Sequence, residues 1–219
     1  MTEPGRPEVT AGYRAPRPDH PQIGDAIRAR RTSLGLSLRD LADRLGVTPS
    51  LISQIERGRA NPSVSTLYAI VGELDLSLDE LLFSERRSAD RSEAPPSPSG
   101  PIQRGHERHC IRLASGVTWE RLTTRSEPGV EFLYVIYDIG GASSDGDHQR
   151  HSGHEWGYVI SGTLQVTIGF NDYLLQPGDS VSLDSTTPHR LANVGDTPVH
   201  AVWFVLGRDP TESHPSGTA

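Results

Sequence analysis

Apolar residues in this chain recur with a helical period up to Leu82 and with a period of two beyond Gly129, and an almost apolar-free stretch lies between. The two periods place side chains along one stripe of a helix or on one face of a strand, and a sequence patterned for one does not settle as the other. The chain therefore divides into an all-α part and an all-β part. Residues 84–101, Ser-Glu-Arg-Arg-Ser-Ala-Asp-Arg-Ser-Glu-Ala-Pro-Pro-Ser-Pro-Ser-Gly-Pro, read as a linker stiffened by its prolines. At 219 residues there is length for two modest domains, each with its own core.

The α part begins after a Pro-rich arm, residues 1–20, which lacks hydrophobic periodicity and reads as disordered. Ile23, Ile27 and Leu34 line one face of a first helix, which Gly35 stops. Ser37 caps a second helix with Leu38, Leu41, Ala42 and Leu45 inward, and Gly46 ends it. Thr48 caps a third, with Pro49 at the first helical position and Leu51, Ile52 and Ile55 inward, before Gly58 breaks it. Ser63 caps a fourth carrying Leu67, Ile70, Val71 and Leu74; Ser77 starts a short fifth with Leu78, Leu81 and Leu82. Two short helices joined by a glycine turn, the second polar along one side, are how a protein offers a helix to the major groove of DNA.

Beyond the linker, strand-like runs at Gly129–Ile139, Trp156–Ile160, Leu164–Ile168, Asp172–Leu175, Ser180–Leu183 and Val199–Leu206 alternate with Gly, Pro and Asn turns. Many short strands without a helical pattern predict a β-sandwich or barrel. Residues 149, 151 and 155 share parity, so Gln149, His151 and Glu155 project to one interior face, with His189 arriving from a facing strand. His148 and His154 have the opposite parity and face out. Two imidazoles and one carboxylate suit Fe(II), Mn(II), Ni(II) or Zn(II); Gln149 adds a weak carbonyl oxygen or leaves its place to water. The same polar groups also suit hydrogen bonds to an organic ligand. Trp119, Trp156, Tyr158 and Trp203 read as barrel core, His106, His109, His200 and His214 as surface or loop, and Cys110 as buried filler.

Net charge is −7, which is unusual for a nucleic-acid binder until it is divided. Residues 20–60 hold seven Arg against four acids, whereas 92–219 hold eight Arg against fifteen acids. The surplus coincides with the third helix, and the acidic remainder repels phosphate and so orients the molecule. The single Cys110 excludes an internal disulfide, and no apolar run reaches membrane-spanning length, which together point to a cytoplasmic chain.

Leu41-Ala42, Leu45-Gly46, Val47, Ile52-Ser53, Ile55-Glu56, Gly58 and Pro62 carry a resemblance to the lambda-repressor-like (XRE, Cro/C1) helix-turn-helix family over residues 21–83. The resemblance implies a five-helix bundle whose third helix enters the major groove of double-stranded DNA. Its exposed positions Thr48, Pro49, Ser50, Ser53, Gln54 and Arg57 are then the candidates for contact. Gln54 pairs bidentately with adenine, Ser50 and Ser53 reach base or phosphate, Arg57 reaches phosphate or guanine, and Pro49 offers an apolar surface to a thymine methyl. Arg39, Arg59 and the Arg28, Arg30 and Arg31 group read as phosphate contacts or as solubilising residues, the latter for Arg30 and Arg31.

His151-x3-Glu155-x6-Gly162, Pro177-Gly178-Asp179 and His189-x3-Asn193 resemble the two motifs of the cupin family over residues 105–208. The match departs where Gln149 stands in place of a first His, and in a longer Gly178–His189 spacing. The implied architecture is an arm (1–20), a helix-turn-helix domain (21–83), a linker (84–104), a jelly-roll cupin barrel (105–208) and a tail (209–219). Helix-turn-helix followed by cupin implies a transcriptional regulator: a homodimer on a pseudo-palindromic operator whose barrel senses a metal or small-molecule effector. The rival is a cupin metalloenzyme of the iron-dependent epoxidase or oxygenase type, with His151, Glu155 and His189 as iron ligands behind an HTH-like helical domain. A binding module without a DNA role is a third reading. The outward polar edge of the third helix argues against both.

Overall fold

The computed structural model of the protein describes residues 21–76, 81, 100–125, 127, 129–144, 146 and 148–207. The expected arm, tail, most of the linker and most of the fifth helix lie outside the described residues; of that helix Leu81 is described, helical and buried.

Among the described residues four helices with full ranges come first: α1 (Pro21–Ser33), α2 (Leu38–Leu45), α3 (Pro49–Glu56) and α4 (Val64–Glu73). Their starts are set by local chemistry. The Ser37 hydroxyl accepts the Asp40 amide and the Asp40 carboxylate accepts the Ser37 amide, a reciprocal box that also holds the Asp40 pKa below its ordinary value. The Thr48 and Ser63 hydroxyls accept the amides of Leu51 and Thr66. Gly46 turns the chain between α2 and α3 at φ 65°, a left-handed conformation that a side chain would strain. The helices close on Ile27, Leu41, Ile52, Leu67, Ile70 and Leu74, all fully buried. Each contributes about 1.5–3 kcal/mol by leaving water. Leu34 departs from expectation: it lies past the end of α1 and is 44% exposed.

Arg31, expected to be solvated, is inside the bundle. Its Nε and Nη2 donate to the two carboxylate oxygens of Glu56 at 2.6 and 2.9 Å, and Nη1 donates to the Leu36 carbonyl at 2.7 Å. Glu56 ends α3, so this pair bolts α1 to the last turn of α3. Arg30 also looks inward, donating to the Leu74 carbonyl at 2.8 Å.

Among the described residues, nine antiparallel strands follow in two sheets. The larger has the order β1 (Cys110–Arg112), β2 (Val117–Arg121), β3 (Val130–Tyr137), β9 (Val199–Leu206), β4 (His154–Ser161) and β7 (Ser180–Asp184). The smaller is β6 (Asn171–Leu175), β5 (Leu164–Ile168) and β8 (His189–Asn193). Leu133, Val135, Val159, Leu164, Val166, Leu191, Ala201 and Trp203 fill the space between them. Within β4 the alternation puts Glu155, Gly157 and Val159 inside, so Trp156 and Tyr158 stand outside at 40% and 49% exposure instead of in the core. His200 is half-buried on β9, its Nδ1 3.0 Å from the Tyr134 hydroxyl, where a surface or loop position was expected.

On the outer side of the larger sheet, Glu120 is fully buried, with Oε2 3.2 Å from Arg108 Nη1 and Oε1 without a hydrogen-bond partner. Burial pushes its carboxyl up to about 7. A folded pKa above the unfolded one makes the sign opposite to the usual carboxylate. There is no cost at low pH, where both states are protonated, and a growing cost as pH rises from about 4.5 to about 7. Above that range the cost is on the order of 3 kcal/mol. Glu120→Gln is therefore expected to melt higher than the wild type at about pH 8 and together with it at about pH 4, in a calorimetric series across pH.

The helical bundle is seated on the barrel through α4. Ser65 N–H donates to the Ser143 carbonyl at 3.1 Å, Ala114 N–H donates to the Pro62 carbonyl at 2.9 Å, and Tyr68 lies against Trp119 with ring centroids 5.6 Å apart.

Candidate nucleic-acid interface and metal centre

Along α3 the inward positions are Ile52 and Ile55, with Glu56 held by Arg31. The opposite edge is open: Thr48, Pro49, Ser50, Gln54 and Arg57 are exposed and Ser53 is half-buried. Arg39 on α2 and Arg59 beyond α3 are exposed as well. Gln54 Nε2 donates to the Ser50 hydroxyl at 3.3 Å, one helical turn earlier, which orients the amide along the helix. Gly58, at φ 64°, ends the helix, and the Arg59 amide closes onto the Gln54 carbonyl at 2.8 Å. The barrel is seated on α4, leaving this edge uncovered.

In the barrel, the parity argument is matched by burial. Glu155 and His189 are buried and Gln149 and His151 half-buried, while His148 and His154 are exposed. Glu155 comes from β4 and His189 from the first position of β8. Gln149 and His151 lie on the loop leading into β4, laid against the barrel by reciprocal backbone bonds between Gln149 and His189 and by His151 N–H to the Ser185 carbonyl, all at 2.9 Å. His151 Nε2 stands 2.9 Å and His189 Nε2 3.2 Å from the same Glu155 oxygen, Oε1.

The hydrogen bonds of the other ring nitrogens fix what these three atoms present. His151 Nδ1 donates to the Ser152 carbonyl at 3.0 Å and His189 Nδ1 to the Thr187 carbonyl at 2.9 Å. A nitrogen that donates to a carbonyl carries the proton, so in the neutral ring Nε2 carries a lone pair. Gln149 Nε2 at 3.3 Å from His189 Nε2 donates into that lone pair. The two Nε2 atoms and a carboxylate oxygen thus converge in a buried place: a proton on either Nε2 is donated to Glu155, and without that proton the nitrogen offers a lone pair to a cation. The ligand atoms of His151, Glu155 and His189 lie within 4.8 Å of one another. This donor set fits a divalent cation, and a half-turn of the Gln149 amide, whose Oε1 is also buried without a partner, brings an oxygen to the same place.

Burial pushes the Glu155 carboxyl up, but the two imidazoles beside it outweigh burial and hold it well below the carboxylate range. Its other oxygen accepts Trp203 Nε1–H at 2.6 Å. Trp203 was legible in the sequence only as core; here it aims the carboxylate, and it does so because Gly157 pairs with it across β4 and β9. Any side chain at Gly157 would run into the indole. Tyr68 was not singled out at all, yet its ring lies 4.9 Å from that of His151. Helix α4 reaches this place through tertiary packing, for which its sequence carries no signal.

Residues 27–81 match the helix-turn-helix family model and residues 133–205 the cupin domain model. The HTH-type transcriptional regulator PuuR of Escherichia coli is 29% identical over 170 residues, covering 78% of this chain and 86% of that protein. The transcriptional regulator ClgR of Mycobacterium tuberculosis is 38% identical over 80 residues, covering 36% of this chain and 71% of that protein. A crystal structure of an HTH_3 family transcriptional regulator from Vibrio cholerae has the same fold, with a TM-score of 0.60 at 21% identity over 86% of this chain and 96% of that one. The likeness to regulators therefore runs through both domains. No helix among the described residues is long and apolar enough to cross a membrane. The chain belongs to the HTH-type transcriptional regulators, DNA-binding proteins that here join a helix-turn-helix domain to a C-terminal cupin domain.

Proposed function

We propose that residues 21–83 read a specific operator and that residues 105–208 sense an effector that decides whether they do so. The carrying observation is the exposed polar edge of α3, with Ser50, Gln54 and Arg57 exposed while Leu51, Ile52 and Ile55 pack inward. In this reading Gln54 and Ser53 read base edges, Thr48, Pro49 and Ser50 sit at the groove, and Arg57, Arg39 and Arg59 hold phosphates. One domain of this size makes few base contacts, so two copies act on a pseudo-palindrome with half-sites a whole number of helical turns apart. The exposed Phe132, Trp156, Tyr158 and Leu206 on the outer face of the larger sheet support pairing of two barrels there. His151, Glu155 and His189, with Gln149 beside them, hold Fe, Mn, Ni or Zn, alone or with a small molecule that completes the coordination. Occupancy favours one arrangement of the two reading heads over another. The place of action is the cytoplasm, where the DNA is.

The test is a mobility-shift titration on operator DNA obtained by selection from random duplexes, repeated across salt. Gln54→Ala is expected to cost about 1–3 kcal/mol and to relax the preference at one base position. Arg57→Ala is expected to weaken all sequences alike and to lower the salt slope by about one. Binding of two chains per operator is expected throughout. Unaltered binding in both variants would remove α3 as the reading element.

A further inference from the structure

Tyr68 belongs to the DNA-reading domain by sequence and to the barrel site by position. Its ring stands 4.9 Å from the His151 ring at 41° and 5.6 Å from that of Trp119, and its hydroxyl donates to Glu131 Oε2 at 3.4 Å. We propose that Tyr68 is a positioning residue of the cation site, and that a cation on His151, Glu155 and His189 favours the seated arrangement of α4 on the barrel. The inference rests on the cation-site reading given above.

His151 is the ligand with the least support from its own domain. It sits on a loop, and its Nδ1 is tied only to the neighbouring Ser152 carbonyl, whereas His189 starts a strand. What packs on the His151 ring therefore helps to hold it, namely His189 at 5.4 Å and Tyr68 at 4.9 Å. A cation that fixes Nε2 fixes the surface on which Tyr68 rests. A second contact leads to the same place. Ser65 N–H is one of the first amides of α4, which have no acceptor within the helix, and it donates to Ser143. Ser143 is in turn stapled to β8: its amide donates to the Leu191 carbonyl at 2.8 Å and its hydroxyl accepts the Leu191 amide at 3.1 Å, two residues from His189. On its other side α4 shares one core with α3, through Leu67, Ile70, Ile52 and Ile55, so the reading edge moves with α4. Linkage makes the effect reciprocal: whatever factor the cation adds to seating, seating adds to cation affinity.

The experiment uses the full chain and Zn(II) as the probe. Calorimetry measures Zn(II) affinity, and NMR follows the exchange of the Ser65 and Ala114 amides, which bridge the domains. In the wild type Zn(II) is expected to slow both amides by about fivefold or more. Tyr68→Ala is expected to abolish that slowing and to weaken Zn(II) by the same factor, while the Leu191 and Val166 amides stay protected and show the barrel intact. Tyr68→Phe keeps the ring and is expected to retain most of both effects. Equal Zn(II) affinity in wild type and Tyr68→Ala, with seam amides indifferent to Zn(II), overturns the role of Tyr68 and leaves the cation site standing. Failure of the wild type to take up Zn(II) overturns both.

Discussion

Glu155→Ala is expected to remove divalent-cation binding from the barrel, weakening Zn(II) or Mn(II) by more than about 100-fold in calorimetry. Loss of an outer partner that merely orients a ligand costs about 10–100-fold, and Glu155 is the ligand itself. It is also the one member of the triad that is negatively charged, and the attraction of the two imidazoles keeps it so despite burial. Without it, His151 and His189 face each other with a cavity between them, and two neutral imidazoles hold a hard divalent ion poorly. Glu155→Gln separates charge from shape. The carboxamide oxygen still accepts the Trp203 N–H, which meets Glu155 at 2.6 Å, so the barrel keeps its packing while the site loses its charge. If Glu155→Gln binds the ion as the wild type does, the converging lone pairs serve hydrogen bonds to an organic effector and the cation reading falls. Melting in the absence of metal guards against a trivial outcome. A Glu155→Gln chain that binds no ion yet unfolds close to the wild-type temperature has lost the site and not the fold.

Which parts of this were legible in the sequence follows from how local their causes are. The starts of α2, α3 and α4 rest on Ser37, Thr48 and Ser63, each within three residues of the amide it caps, and sequence alone finds them. The spacing of His151, Glu155 and His189 singles them out in the sequence, although His151 lies on the loop before β4, where strand parity does not apply. The edge strand β1 and its neighbour β2 carry little strand signal, because Cys110–Arg112 is short and Val117–Arg121 holds Glu120 and Arg121, charged side chains that are nonetheless buried. The expectation of Trp156 and Tyr158 as core conflicts with that of Glu155 inside, since adjacent residues of a strand face opposite ways, and the structure sides with Glu155. Arg31 departs from its expected solubilising role because it meets Glu56, 25 residues along the chain, and no local pattern marks that pairing. Tyr68 and Trp203 act on the site from other elements, and no pattern within α4 or β9 marks them as anything beyond packing.

Arg31→Ala is expected to destabilise the helical domain by about 3–5 kcal/mol, measured by denaturant unfolding followed through its helical circular dichroism. The size comes less from the attraction lost than from what is left behind: Glu56, whose side chain is 5% exposed, would keep its charge with no partner, and the Leu36 carbonyl would lose its donor. A domain of this size is stable by about 5–15 kcal/mol, so the loss takes a large share of the margin. Replacing both partners at once, Arg31→Met with Glu56→Leu, is expected to recover most of it, because a buried pair exchanged for apolar side chains of similar volume is close to neutral. The two variants together then separate stability from aim. Glu56 is the last residue of α3 and precedes Arg57, so the bidentate pair sets the rotation of α3 about its axis against α1, and with it the direction in which Gln54 and Arg57 point. The double variant should therefore fold yet bind operator DNA less selectively than the wild type. Selectivity equal to that of the wild type would mean that the apolar contacts of Ile52 and Ile55 alone fix the helix, and that the ion pair serves stability only.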